Sequence, residues 1–240
     1  MPQHPMSEHS RLIQKFDTCR TAFMLCDVQE KLEPHIRNFH DAVHAANAMA
    51  ALHELLGPAH SVFVASEQCP AEVGHTHHDI KLPADAVVSE KGTLSMLVPN
   101  IRARIFGDTE KGILPVQQVI IWGHETDGCI LRTTDGLLSH GIRVAVLADS
   151  CGSQVQENHD VAILQMLHWS GVMMTTVPSA VMQLTRADSR FMRDTIRIMK
   201  KHNAEWASTQ SKLKSEADER GATEQGAAAE GPSAWLGMAN

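Results

Sequence analysis

Six short apolar runs alternating with longer stretches of helical spacing constrain this chain more than anything else in it. The runs are Thr21–Cys26, Ser61–Ser66, Ala86–Ser89, Gln118–Trp122, Arg143–Ala148 and Val172–Thr176. The helical stretches include His40–Leu56, alanine-rich and stopped by Gly57-Pro58, and Val98–Phe106, stopped by Gly107. Cys129–His140 ends at Gly141, Glu157–Ser170 ends at Gly171, and Ser179–Arg186 follows Pro178 with Ser179 placed to cap it. Glycine just past the last periodic residue is a helix stop, because it adopts the left-handed conformation without a Cβ penalty. Strands that are apolar throughout leave no face for water, so this alternation predicts a parallel sheet covered on both sides. The expected fold class is α/β, a three-layer α/β/α domain with a six-stranded parallel sheet.

At 240 residues the chain can bury one substantial core with some length to spare. The expected division is an N-terminal extension over residues 1–18, one domain over 19–207, and a disordered tail over 208–240. Beyond Ser208, Lys, Glu, Ala, Gly and Ser dominate, as in Glu224–Gly231, a composition with little to bury. Trp235 and Leu236 stand out there, most simply as chance. Arg190, Arg193, Arg197, Lys200 and Lys201 recur at helical spacing and read as the solvated face of a late helix.

The strand ends carry the chemistry. In Ile120-Ile121-Trp122-Gly123-His124-Glu125-Thr126-Asp127-Gly128-Cys129 an apolar run stops at a glycine and a helical pattern begins near the cysteine. Free cysteine is usually a small buried hydrophobe. At a helix start, however, unpaired N–H groups and the helix dipole favour the thiolate and can also hold an oxyanion. Asp27 closes the first apolar run, where an acid can take a proton from a thiol or simply cap the next segment. Lys91 follows the third run. A lysine beside a thiol and a carboxylate keeps both charged, although a lone loop lysine is normally just solvated.

These pieces resemble the isochorismatase-like cysteine hydrolases. The matching segments are Leu25-Cys26-Asp27-Val28-Gln29-Glu30, Ser66-Glu67-Gln68-Cys69-Pro70, Lys91-Gly92-Thr93-Leu94-Ser95-Met96 and Gly123-His124-Glu125-Thr126-Asp127-Gly128-Cys129. The Glu-Gln-x-Pro loop and the Gly-x-Glu-Thr turn are most similar to the isochorismatase-domain-containing subgroup. The resemblance, from about Thr21 to about Lys200, implies strand order 3-2-1-4-5-6 with the site where strands one and four diverge. It implies Asp27, Lys91 and Cys129 as catalytic residues, a thioester intermediate and small amide or related acyl substrates. It also implies a cis His124–Glu125 peptide, with the N–H groups of Glu125 and Cys129 as oxyanion donors. Gln68, His75 and Leu97 are the loop residues expected to line the substrate.

No cofactor or metal is expected. Related nicotinamidases carry an Asp-x-His metal pattern after the second strand, where this chain has Ser66-Glu67-Gln68. His75, His77, His78 and Asp79 could bind zinc, but with 15 histidines in the chain chance clustering is the simpler account. The net charge of −7 argues against a broad nucleic-acid surface, which needs clustered Lys and Arg. So do 4% aromatic residues and the lack of any tyrosine. A ribonuclease, a label some relatives carry, and an inactive scaffold of the same fold stand as alternatives. The five cysteines form no C-x-x-C, which suggests free thiols in a reducing intracellular compartment, the cytoplasm first and the mitochondrion second. No apolar run is long enough for a membrane span. The expected partners are a small-molecule substrate and further copies of the chain. Met173, Met174, Val181 and Met182 are the residues that would meet at such an interface, unless they fill the core.

Overall fold

The structure, a computed structural model, describes residues 12–229. Residues 1–11 and the Trp235-Leu236 pair lie outside the described residues. Six strands form one sheet: β1 Thr21–Cys26, β2 Ser61–Gln68, β3 Val87–Lys91, β4 Gln118–His124, β5 Arg143–Gly152 and β6 Val172–Thr175. Their order is β3-β2-β1-β4-β5-β6, and every pairing is parallel. That is the expected sheet and strand order.

The central strands β1 and β4 are buried at every residue. Phe23, Met24, Leu25 and Trp122 are fully enclosed, with Phe63 of β2 edge-on to Trp122 at 5.9 Å. Burying a side chain of this size is worth about 1.5–3 kcal/mol, so the centre of the sheet is its most firmly held part. The helices are α1 Phe39–Leu56, α2 Pro70–Val73, α3 Pro99–Phe106, α4 Leu131–Leu138, α5 Gln156–Leu167, α6 Val177–Thr185 and α7 Met192–Ala229. Helices α1, α6 and α7 pack on one another in one layer. By the right-handed rule for parallel crossovers, α3, α4 and α5 belong on the opposite face.

The described residues at both ends make contacts with the domain. The described part of the 1–18 extension packs as part of the domain. Ile13 and Phe16 are buried, and the Phe16 N–H donates to the Leu184 carbonyl at 3.0 Å. At the other end α7 crosses the composition change at Ser208 and continues to Ala229. Beyond that point it touches α1: Thr209 Oγ1 meets His44 Nε2 at 2.8 Å, and Gln210 Nε2 donates to Asp41 Oδ2 at 2.9 Å. Alanine, glutamate and lysine are good helix formers, so a composition too polar for a core can still extend a helix that α1 supports. The four late residues expected at an interface do not form one surface. Val181 is core, Met173 and Met174 are half-buried on β6, and Met182 is 53% exposed.

Where β1 and β4 end, Gly123 lies opposite Cys26. Its φ is +117°, and a Cβ built there would overlap the Cys26 carbonyl oxygen. Only glycine combines that conformation with so close an approach. The ends of β1 and β4 are thereby brought together.

Candidate active site

Asp27 follows β1 directly, with a left-handed φ of +48° that turns the chain and its carboxylate over the sheet edge. Ser66 of β2, the register partner of Cys26, holds it twice. The Asp27 N–H donates to the Ser66 carbonyl at 3.2 Å, and the Ser66 hydroxyl donates to Asp27 Oδ1 at 2.7 Å. Lys91 is the last residue of β3, two strands away. Neighbouring strands lie about 4.8 Å apart, so its long stem must cross β2, a span of roughly 10 Å between backbones. The ammonium reaches Asp27 Oδ2 at 2.7 Å and Cys129 Sγ at 3.2 Å. Gln68, opposite Lys91 in the β2–β3 register, accepts from the same nitrogen at 2.6 Å, and the Thr93 carbonyl accepts at 3.1 Å.

Cys129 arrives from β4. The expected helix start is a π-turn, Thr126–Ile130, and regular α-helix begins only at Leu131. The N–H groups of Gly128 and Ile130 both donate to the Glu125 carbonyl, at 3.2 and 3.1 Å. Ser153 braces the turn by accepting the Thr126 N–H at 3.1 Å and donating to Asp127 Oδ1 at 2.6 Å. The wide turn carries the sulfur toward Lys91, and insertions of this kind recur at functional sites. The His124–Glu125 peptide is cis, as the resemblance implies. The Glu125 side chain points away from the sulfur, accepting from Gln154 N–H at 3.0 Å and Gln154 Nε2 at 2.8 Å.

The three residues expected to act together are together. Asp27 and Lys91 are buried, and Cys129 is 7% exposed. The Cys129 thiol is held below its usual range, first by the Cys26 thiol beside it and then by the Lys91 ammonium. Burial and the Asp27 charge oppose this. The Lys91 ammonium is held above its usual range: burial disfavours its charge, but Cys26, Asp27 and Cys129 outweigh that. The other buried thiols go the opposite way. Burial pushes Cys19 to about 11 and Cys151 to about 12.

The residues expected to line a substrate fare differently. Gln68 uses its carbonyl to hold Lys91, and its amide nitrogen faces Cys69 Sγ at 3.4 Å. His75 is exposed and paired through Nδ1 with Glu67 at 2.9 Å. Leu97 is half-buried and packs over Gly136 of α4. Cys26, Ser66 and Gln29 were not expected in the site. Gln29 is fully buried and clamps the loop after β2, accepting from Gln68 N–H at 2.7 Å and donating to the carbonyls of Gln68 and Gly74. The clue to Cys26 and Ser66 was register: each closes its apolar run beside a site residue. Behind the site His124 is enclosed against Phe39, with ring centroids 5.1 Å apart, and burial pushes it down to about 3, so it is neutral.

Among the described residues, two groups have the residue types for a metal. Cys26, Asp27 and Cys129 come within 4.8 Å of one another, but the Lys91 ammonium already fills the position a cation would take between Asp27 and Cys129. His77, His78 and Asp79 cluster similarly. There His77 Nδ1 accepts the Asp79 N–H at 3.3 Å, which puts its proton on Nε2, facing Glu33 Oε2 at 3.5 Å. A protonated nitrogen is not a ligand. At the position of the nicotinamidase pattern, Ser66 donates to Asp27, Glu67 binds His75 and Thr76, and Gln68 holds Lys91. Those three do not fit a metal.

The family model for the isochorismatase domain matches residues 21–178. Isochorismatase domain-containing protein 1 of Salmo salar is 29% identical over 181 residues, which span 75% of this chain and 60% of that protein. Among solved structures, a hypothetical protein from Trypanosoma cruzi superimposes with a TM-score of 0.74 at 41% identity, covering 80% of this chain and 96% of the other. A Leishmania major protein provisionally named MAR1 ribonuclease superimposes with a TM-score of 0.73 at 31% identity, covering 80% of this chain and 96% of the other.

Proposed function

This chain belongs to the isochorismatase family, and from that premise we propose that it is a cysteine hydrolase of small amides or related acyl compounds. The observation that carries this reading is the Lys91 ammonium, 2.7 Å from the Asp27 carboxylate and 3.2 Å from the Cys129 sulfur. Asp27 takes the proton from the Cys129 thiol, and the resulting thiolate attacks the substrate carbonyl carbon. The tetrahedral oxyanion forms against the N–H groups of Glu125 and Cys129. Losing one donor of that kind typically costs ~10²–10³ in rate. As the intermediate collapses, the C–N bond breaks and the amine leaves with the proton held by Asp27. Water then gives a proton to Asp27 and adds to the thioester. The carboxylic acid departs, and Cys129 takes the proton back. Lys91 stays charged throughout, balancing whichever neighbour is anionic.

The name of the Leishmania major relative raises ribonuclease action as a second reading. Its support in this chain is that name, whereas the acyl-transfer reading rests on three side chains in contact. A structured RNA offered to the protein separates the two.

The thiols give the first test. Cys129 is expected to be the fastest of the five cysteines toward iodoacetamide at neutral pH, with an apparent pKa below the ~8.5 of a free thiol. Cys69, half-buried, is its natural competitor, because burial holds Cys19, Cys26 and Cys151 protonated. Site-resolved mass spectrometry across pH reads both quantities. Faster reaction at Cys69 in the folded protein would reassign the nucleophile.

A further inference from the structure

The turn that carries Cys129 is held from one neighbouring segment, the junction of β5 and α5. Glu125 accepts from the Gln154 N–H and Nε2, and Asp127 accepts from the Ser153 hydroxyl. Thr126 lies between them, fully buried, and opens the π-turn. Its N–H donates to Ser153 Oγ at 3.1 Å, and its hydroxyl meets His159 Nδ1 of α5 at 2.8 Å. A buried hydroxyl without a partner is costly. Ser153 has one proton, which goes to Asp127 Oδ1 at 2.6 Å, so the partner that the structure gives the Thr126 hydroxyl is His159. Burial pushes this half-buried imidazole below its usual range, with Asp160 and Asp127 opposing, which keeps it neutral.

Thr126 directly follows Glu125, whose N–H is one of the two donors assigned to the oxyanion, and it begins the turn that sets the other, the Cys129 N–H. Upstream of Glu125, His124 is enclosed against Phe39. Downstream, the N–H and the hydroxyl of Thr126 are both tied to the β5–α5 junction. We infer that His159 is a positioning residue that, through the Thr126 hydroxyl, holds those two donors where the oxyanion forms. The inference deepens the hydrolase reading and rests on it. The nucleophile has its own supports: Lys91 from β3 lies 3.2 Å from the Cys129 sulfur and 2.7 Å from Asp27 at the end of β1. Neither contact passes through Thr126. Loss of the His159 bond should therefore weaken attack on a carbonyl and leave the thiolate in place.

The test sets two reactions of the full chain side by side. Hydrolysis of p-nitrophenyl acetate passes through an oxyanion in both acylation and deacylation, so kcat reads the donors whichever step is slower. Alkylation of Cys129 by iodoacetamide forms no oxyanion and reads the thiolate alone. Thr126→Val removes the hydroxyl and keeps the shape, and His159→Ala removes its partner. Each is expected to lower kcat about tenfold with KM within about twofold, a smaller loss than the ~10²–10³ of deleting a donor outright. Alkylation of Cys129 should stay within about twofold of wild type in both. The double variant should be no slower than about threefold below either single one, because both remove the same bond. His159→Asn offers an amide, neutral and able to donate or accept, close to the place of Nδ1, and should recover kcat to within about threefold of wild type. Wild-type kcat in Thr126→Val would overturn the inference. So would alkylation that slows as much as hydrolysis, or a His159→Asn variant as slow as His159→Ala, because the effect would then be general loosening. If wild-type Cys129 takes up no acyl group, the hydrolase reading falls and takes this inference with it. If it does and the variants keep their kcat, only the role of His159 is lost.

Discussion

Asp27→Asn is expected to slow hydrolysis of small amides by about 10²–10⁴-fold while making Cys129 more reactive toward iodoacetamide. The opposite signs follow from the two things Asp27 does. In the proposed mechanism its carboxylate takes the thiol proton and returns one to the leaving amine, which an amide side chain cannot do. Its negative charge also works against the Cys129 thiolate, so neutralising it favours the anion. Asparagine is the right replacement because position 27 has a φ of +48°. Asparagine tolerates that left-handed conformation better than most residues, and its oxygen can still accept from Lys91. The fold should therefore persist, as read by circular dichroism. An activated ester such as p-nitrophenyl acetate should lose less than an amide, because its leaving group needs no proton. Amide turnover near wild type in Asp27→Asn would move the general base elsewhere.

Lys91→Met has the largest expected effect on stability. The ammonium is buried and makes a 2.7 Å ion pair with a carboxylate that is itself buried. Removing one partner of such a pair strands the other charge and typically costs about 3–5 kcal/mol. For a chain of this size that corresponds to a fall in melting temperature on the order of 10 °C. Activity should fall as well, since neither the thiolate nor the carboxylate then has its cation. The double variant Asp27→Asn with Lys91→Met carries no stranded charge and should melt closer to wild type than Lys91→Met alone. Scanning calorimetry on the four proteins gives the coupling directly. Additive losses would mean that the pair contributes little to holding the sheet ends together.

What could be read from the sequence was the part governed by apolar patterning. Strand β1 ends where its apolar run ends, at Cys26. The limits became visible where polar residues continue a strand. The run ending at Ser66 continues as strand to Gln68, the one ending at Ser89 to Lys91, and the one ending at Ala148 to Gly152. Those extra residues are held by backbone pairing and by polar side-chain contacts such as Gln68 with Lys91, neither of which hydropathy registers. Lys91 was therefore expected just past the end of its strand, when it is the last strand residue, fixed opposite Gln68. The same gap hid the partners of the site. Ser66 and Cys26 matter because β1 and β2 place them side by side, and register is a property of two strands rather than of one. The π-turn at Cys129 was hidden for a related reason. One extra residue in a helical turn leaves the apolar spacing beyond it almost unchanged, while moving the sulfur by a large angle. Just past Ser208, where the composition turns polar, Thr209 and Gln210 of α7 contact His44 and Asp41, partners that composition does not register.

The central claim is a covalent acyl intermediate on Cys129, and intact-mass spectrometry of the protein quenched during turnover of p-nitrophenyl acetate tests it most directly. The account predicts one acetyl group per chain, mapped to Cys129 by peptide analysis, released by hydroxylamine as a thioester should be, and lost in Cys129→Ala together with ester hydrolysis. Continued hydrolysis by Cys129→Ala, or an acyl group that maps to another residue in the wild-type protein, would contradict it.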